Sequence, residues 1–266
     1  MINKPIKINR NDYKRIVFAS DFHYNHLRDF IWKPRGFNTF YEHDKFIESE
    51  CDKLTADDLL IYLGDFALNT SKEAVMALFH RIQAQVFFIF GNHNSMVLEL
   101  YKTALKDYLK LIDSVIPNND LNLHGTHEAH PYDIFPFSVN KFTKFGQAGR
   151  WDAPRFNFTG TQKNENIVFF GEEETFNIGN MFYCCRHMAP LIWDKMKYEN
   201  QVCLTGHSHG NSEQLNIHHK IGKVLDVGMD NTIKYNKTAF FDVEEIEKIM
   251  KKKEIKIWDH HGDENI

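Results

Sequence analysis

Five short apolar runs, each passing straight into a polar fragment, constrain this chain more than any other feature. Residues 15–20 lead into Asp21-Phe22-His23, and 58–63 into Gly64-Asp65. Residues 86–90 lead into Gly91-Asn92-His93, 181–186 into His187, and 201–205 into Gly206-His207-Ser208-His209. The runs are short, rich in β-branched and aromatic residues, and lack clean polar alternation, which is the pattern of strands buried on both faces. Layered α/β folds gather their ligands beyond the carboxyl ends of such strands. All five fragments sit at those ends, so the pattern predicts that they converge on one rim. Together they offer two carboxylates, one amide oxygen and five imidazoles, a donor set suited to a pair of borderline divalent metals.

Helical patterns alternate with the first runs. Residues 40–54 place Phe40, Ile47, Cys51 and Leu54 on a stripe, Ser71 can cap a helix over 72–83, and 95–111 read as a third helix. Between the first strand and these helices, residues 24–39 read as a loop rich in aromatic and basic side chains, where Pro34 and Gly36 forbid a long helix. The later half is strand-rich, with strands expected over 166–170, 174–178, 181–186, 202–205, 223–227 and 238–243. A charged helix is expected over about 244–256. This order predicts a layered α/β architecture.

The 266 residues are 42% hydrophobic, enough for a sizeable core, and we read them as a single domain, 1–266, carrying an insertion. The net charge of -4 gives no global basic field for non-specific nucleic-acid binding. Cys51, Cys184, Cys185 and Cys203 read as buried reduced thiols rather than a disulfide framework. No apolar run reaches membrane-span length and no signal peptide is read, so a cytoplasmic protein with no membrane partner is expected.

In this order the fragments resemble the calcineurin-like metallophosphoesterase family, whose pattern runs D-x-H, G-D-x-x-D, G-N-H-(D/E), H, G-H-x-H. Residues 20–26, Ser-Asp-Phe-His-Tyr-Asn-His, are similar to a bacterial and phage branch that opens S-D-T-H-F-G-H. The resemblance covers about 14–115 and 167–243. It implies an α/β, four-layer metallophosphoesterase-type β-sandwich flanked by helices, with an inserted lid-like segment. It implies two divalent ions as cofactors, one held by Asp21, His23, Asp65 and His209 and the other by Asp65, Asn92, His187 and His207. Asp65 would bridge by offering one oxygen to each ion. His187 carries a second reading, as a satisfied core histidine. The implied activity is phosphoester hydrolysis by a metal-bridging hydroxide, with Asp65 and Asn92 in the catalytic group and His93 beside the leaving oxygen. Mn²⁺ is the first expectation, with Fe²⁺, Zn²⁺ and Ni²⁺ open.

Two positions depart from the family pattern. Leu68 stands where the second acid of G-D-x-x-D falls, and Asn94 where an acid follows Asn-His. Both positions orient neighbours, so they bear on His93 more than on the metal ligands. For substrate binding, Asn92, His26 and Arg35 are the candidates, with an ion pair to Glu42 or Asp44 as the other reading of Arg35.

The stretch 118–165 matches nothing in the family pattern. Between 137 and 163 it interleaves Lys141, Lys144, Arg150, Arg155 and Lys163 with six aromatic residues against one acid, Asp152. Cations among aromatics suit phosphate and base together, and a structural cover is the other reading. The expectation is a phosphodiesterase whose phosphate-ester partner is a nucleotide or nucleic acid. A phosphomonoesterase and a non-catalytic metal-binding scaffold are the alternatives. His124, His127 and His130 read as a surface or lid cluster rather than a zinc site.

Overall fold

The computed structural model describes residues 5–103, 155–156, 167–214 and 221–255. In chain order the elements are β1 (Ile6–Ile8), β2 (Arg15–Ala19), α1 (Asp29–Trp32), α2 (Phe40–Cys51), β3 (Asp58–Tyr62), α3 (Lys72–Arg81), β4 (Gln85–Phe88) and α4 (95–103). Then follow β5 (Arg155–Phe156), β6 (Ile167–Phe169), β7 (Glu173–Ile178), β8 (Met181–Arg186), β9 (Gln201–Thr205), α5 (212–214), β10 (Val224–Asp226), α6 (Met229–Asn236), β11 (Phe241–Asp242) and α7 (Val243–Met250).

The strands form two sheets. The six-stranded sheet runs β11-β2-β3-β4-β6-β5, parallel through its centre and antiparallel at both edges. The five-stranded sheet runs β1-β7-β8-β9-β10, with β8, β9 and β10 parallel. Parallel pairing places the carboxyl ends of β2, β3 and β4 side by side, and those of β8, β9 and β10 likewise. A bridge from Ser20 to Gly228, with the Met229 amide donating to the Ser20 carbonyl at 3.0 Å, ties the two sheets together at that rim.

The missing polar alternation has a plain cause. Val17, Ala19, Leu60, Tyr62, Val86 and Phe88 pack against the helices through Ile47, Cys51, Val75, Leu78, Phe79 and Val97. The intervening Ile16, Phe18, Leu59, Ile61 and Phe87 pack against Phe176, Tyr183, Val202, Leu204 and Leu225 of the other sheet. Both faces of the central strands are therefore buried. Among the described residues, the fourth layer is the turn-rich stretch around Trp193 and Met196, which covers Cys184 and Cys203 in place of a regular helix. The four cysteines are buried and unpaired. No helix among the described residues is long and apolar enough to cross a membrane.

Several expected boundaries move for local reasons. Thr39 caps α2 by accepting the Glu42 amide, so Phe40 falls in the first turn, 38% exposed, rather than on the buried stripe. Ser71 caps α3 as expected, and that helix ends two residues early because Ile82 turns to extended backbone. The stretch 24–39 contains the single turn α1, which closes before Pro34. Asp242 and Glu245 form a capping box at the start of α7. The stretch 118–165 lies outside the described residues, apart from β5 at the sheet edge, and so do His124, His127 and His130.

The helix-side core rests on aromatic contacts such as Phe79 stacked on Phe66, with centroids 4.3 Å apart. We expect Phe79→Ala to cost about 3–5 kcal/mol by leaving a cavity. The check is a urea melt in which the midpoint falls and the m-value is unchanged.

Candidate metal centre

Three of the five expected ligand fragments leave their strands through left-handed backbone at the shared rim. Asp21 (φ 57°), His23 (φ 49°), Asp65 (φ 56°), His207 (φ 66°) and His209 (φ 50°) all have left-handed backbone. Asp and His tolerate that region better than bulkier residues, yet each such position costs of order 1–3 kcal/mol and persists only when its surroundings enforce it. Here they do. The Asp21 amide donates to the Gly64 carbonyl (3.0 Å), the His23 amide to the Asp65 carbonyl (3.1 Å) and the Gly206 amide to the His187 carbonyl (2.8 Å). The Tyr62 hydroxyl accepts the Phe22 amide and donates to the Asp65 carbonyl. Gly206 is required by space, since a Cβ there would lie 2.5 Å from Asp21 Oδ2.

Two groups of three donors result, Asp21, His23 and His209 in one and Asp65, His187 and His207 in the other. Within each group the ligand atoms lie within 4.8 Å of one another. Asp65 links them. Its Oδ2 lies 3.3 Å from His187 Nε2 and 4.0 Å from His23 Nε2, and His23 Nε2 lies 3.7 Å from Asp21 Oδ1. Its Oδ1 is occupied, accepting the His93 amide at 2.9 Å. Oδ2 is the Asp65 oxygen that faces an imidazole of each group. Asn92 and His93 sit on the exposed turn between β4 and α4, and the His93 ring centroid is 6.4 Å from that of His23.

Asp21 Oδ1, His23 Nε2 and His187 Nε2 are buried without a hydrogen-bond partner. Orphaned buried polar atoms are rare, and a cluster of neutral nitrogens and carboxylate oxygens is what divalent cations take. These residues fit a pair of such ions. Burial, with Asp226 and Asp65 nearby, pushes Asp21 up to about 7 against the pull of His187 and His209. Burial acts the same way on Asp65, but His187 and the His93 amide outweigh it and hold that carboxyl below its ordinary value. Burial, then the Arg35 charge, drives His23 well below the usual imidazole range and keeps it neutral, the form that binds metal.

The imidazoles are aimed from behind. His187 Nδ1 donates to the Leu63 carbonyl at 2.7 Å, and His209 Nδ1 donates to Asp230 Oδ2 at 2.8 Å. Arg35 is a correction. Its side chain is 0% exposed, and it ion-pairs with Asp230 at 2.8 Å, not with Glu42 or Asp44. It also donates to the carbonyls of Asp21 (2.8 Å) and Phe22 (3.1 Å), so the buried guanidinium is turned into the fold and not toward a substrate. His26 is buried against Phe30, its Nδ1 accepting the Arg28 amide. Asn94 orients the Asp65 side chain, its amide nitrogen 3.5 Å from Asp65 Oδ1 and its oxygen accepting the Phe66 amide.

Asp226 and Asp230 escaped the sequence reading. Asp226 accepts the Gly210 and Gly228 amides and the Ser208 hydroxyl, fastening the loop that carries His207 and His209. Both acids lie at or just beyond the end of the strand expected over 223–227, so the rule used for the other five fragments would have singled them out.

The raised Asp21 carboxyl yields a pH prediction. In metal-free protein it keeps its proton up to about pH 7 when folded, whereas the unfolded chain releases it above about 3.8, so its contribution to stability falls as pH rises through that window. Metal-stripped Asp21→Asn should melt above the wild type by a margin that grows from about pH 5 to about pH 7. Added Mn²⁺ should reverse the order. Scanning calorimetry with and without chelator is the check.

The crystal structure of the protein of unknown function AQ665 from Aquifex aeolicus is similar to the chain at 14% identity. The match covers 88% of this chain and 98% of that one, with a TM-score of 0.47. No curated protein matches. A family model for calcineurin-like phosphoesterase matches residues 14–211, a span that runs from before Asp21 to past His209 and contains all five fragments. With most of its length inside that match, the chain belongs to the calcineurin-like phosphoesterases, metal-dependent hydrolases of phosphate esters that bind two divalent ions.

Proposed function

We propose that this phosphoesterase is a phosphodiesterase acting on nucleotides or nucleic acid. Asp21, His23, Asp65 and His209 hold one ion, and Asp65, Asn92, His187 and His207 the other, with manganese as the first choice. The observation that carries the ligand set is Asp65 Oδ2, a single buried oxygen within 4.0 Å of an imidazole from each donor group. When bound, the pair of ions supplies a hydroxide nucleophile near neutral pH and offsets phosphoryl charge.

The chain's own residues do the rest. Asn92, exposed on the turn, turns its amide toward a phosphoryl oxygen. His93 follows it with an exposed ring and a backbone pinned to Asp65 Oδ1, so its imidazole meets the leaving oxygen and protonates it. Support for a nucleotide comes from the mouth of the site. Phe30 is 66% exposed and packs edge-on 5.4 Å from His26, whose ring lies 6.0 Å from His23. A flat apolar face beside the phosphate position suits a stacked base. The alternating cations and aromatics of 137–163 favour the same class from the sequence side.

The test is hydrolysis by Mn²⁺-loaded protein of aryl phosphate mono- and diesters, cyclic nucleotides, dinucleotides and single-stranded nucleic acid. Asp65→Ala and His207→Ala should abolish turnover. His93→Ala should lower kcat by roughly 10²–10⁴ for poor leaving groups and less for good ones, with metal content retained. Phe30→Ala should raise KM for dinucleotides and leave small aryl diesters untouched. Faster turnover of monoesters than of every diester would overturn the substrate reading. Unchanged turnover in Asp65→Ala would overturn the ligand set.

A further inference from the structure

The two donor groups are supported by different devices. His187 leans on a neutral backbone carbonyl, that of Leu63. His209 leans on the Asp230 carboxylate, and that carboxylate is gripped by a fully buried guanidinium. We infer that Asp230, braced by Arg35, is the positioning residue that sets His209 for its ion and makes the Asp21–His23–His209 site the tighter of the two. The inference rests on the ligand assignment proposed above.

Arg35 and Asp230 sit at the centre of a buried hydrogen-bond network. Asp230 lies in the first turn of α6, whose preceding Gly228 bridges to Ser20 at the end of β2. Arg35 Nη2 donates to Asp230 Oδ2 and to the Asp21 carbonyl, both at 2.8 Å, so one nitrogen fixes both the carboxylate behind His209 and the backbone of Asp21. Its Nη1 donates to the Phe22 carbonyl at 3.1 Å and to His43 Nε2 at 2.8 Å. His43 in turn donates from Nδ1 to Asp44, which accepts the Asn25 amide. Arg35 therefore joins the loop carrying Asp21 and His23 to the helix whose Asp230 reaches His209.

An imidazole whose Nδ1–H donates to an ionised carboxylate is held as one tautomer with Nε2 free, and it is a stronger ligand than one backed by a neutral carbonyl. The near-parallel stack of the His209 and His23 rings, 5.1 Å apart and 9° from coplanar, keeps the two imidazoles of that group aligned.

The experiment is titration of the full chain with Mn²⁺, reading free ion by its paramagnetic resonance signal. The wild type should show a tight and a weak class of site. Asp230→Asn should weaken the tight class by about 10–100-fold and leave the weak one alone. Equal affinities in variant and wild type, or equal weakening of both classes, would overturn the inference. A wild type that takes up no Mn²⁺ would overturn the ligand assignment itself, a result distinct from a null confined to the variant. Should Asp230→Asn not fold, nitrogen-detected imidazole spectra of Zn²⁺-loaded wild type decide the matter. His209 should appear as the Nδ1–H tautomer bound through Nε2, and the opposite tautomer would overturn the claim.

Discussion

Two carboxylates, those of Asp21 and Asp65, are buried within reach of a single imidazole, His23, and the rest of the structure has to make that tolerable. Charges out of water are costly unless paired and hydrogen-bonded. Part of the compensation is local: the His93 and His207 amides donate to the two acids. The remainder is supplied by cations that the donor set fits. The orphaned oxygen and nitrogens around Asp65 Oδ2 are the mark of a centre shaped for ions rather than for its own side chains.

Holding such a cluster in place is the task of the sandwich. Strands buried on both faces are stiff, and their parallel pairing puts five chain exits on one rim. The left-handed turns at those exits would relax if left free. Carbonyl and hydroxyl partners from the neighbouring strand end, Gly64, Asp65 and Tyr62 among them, hold them instead. Stored strain and enforced geometry are the same feature here, because the turns that cost free energy are those that direct the donors inward. The result is a rigid rim that holds two groups of candidate donors, with an exposed His93 on the neighbouring turn.

Behind the ligands lies an ordered shell, in which Asp226 fastens the His207–His209 loop and the Arg35–Asp230 pair backs His209. Asn94 shows how a departure from the family pattern is absorbed. Its carboxamide still reaches Asp65 Oδ1 and satisfies the Phe66 amide, so an amide in place of the acid leaves the Asp65 side chain oriented. Arg35 teaches the opposite lesson. In a loop of aromatic and basic residues it reads as a substrate contact, because nothing local reveals an acid 195 positions further on that claims its charge.

Much was legible in the residues alone. Apolar runs without alternation mark the central strands, since burial on both faces leaves no polar positions to alternate. A polar fragment at a run's end marks candidate donors, since parallel strands expose only their ends, and four of the five fragments supply the two donor groups. Ser71 marks a cap by its own hydrogen-bonding chemistry. What the residues alone could not decide is every relation across the sandwich. Which Asp65 oxygen faces the imidazoles, where Arg35 sends its guanidinium, and which acid stands behind His209 are set by contacts between strands and helices far apart in sequence. Local propensity carries no record of those contacts, and only the packing of the two sheets brings them about.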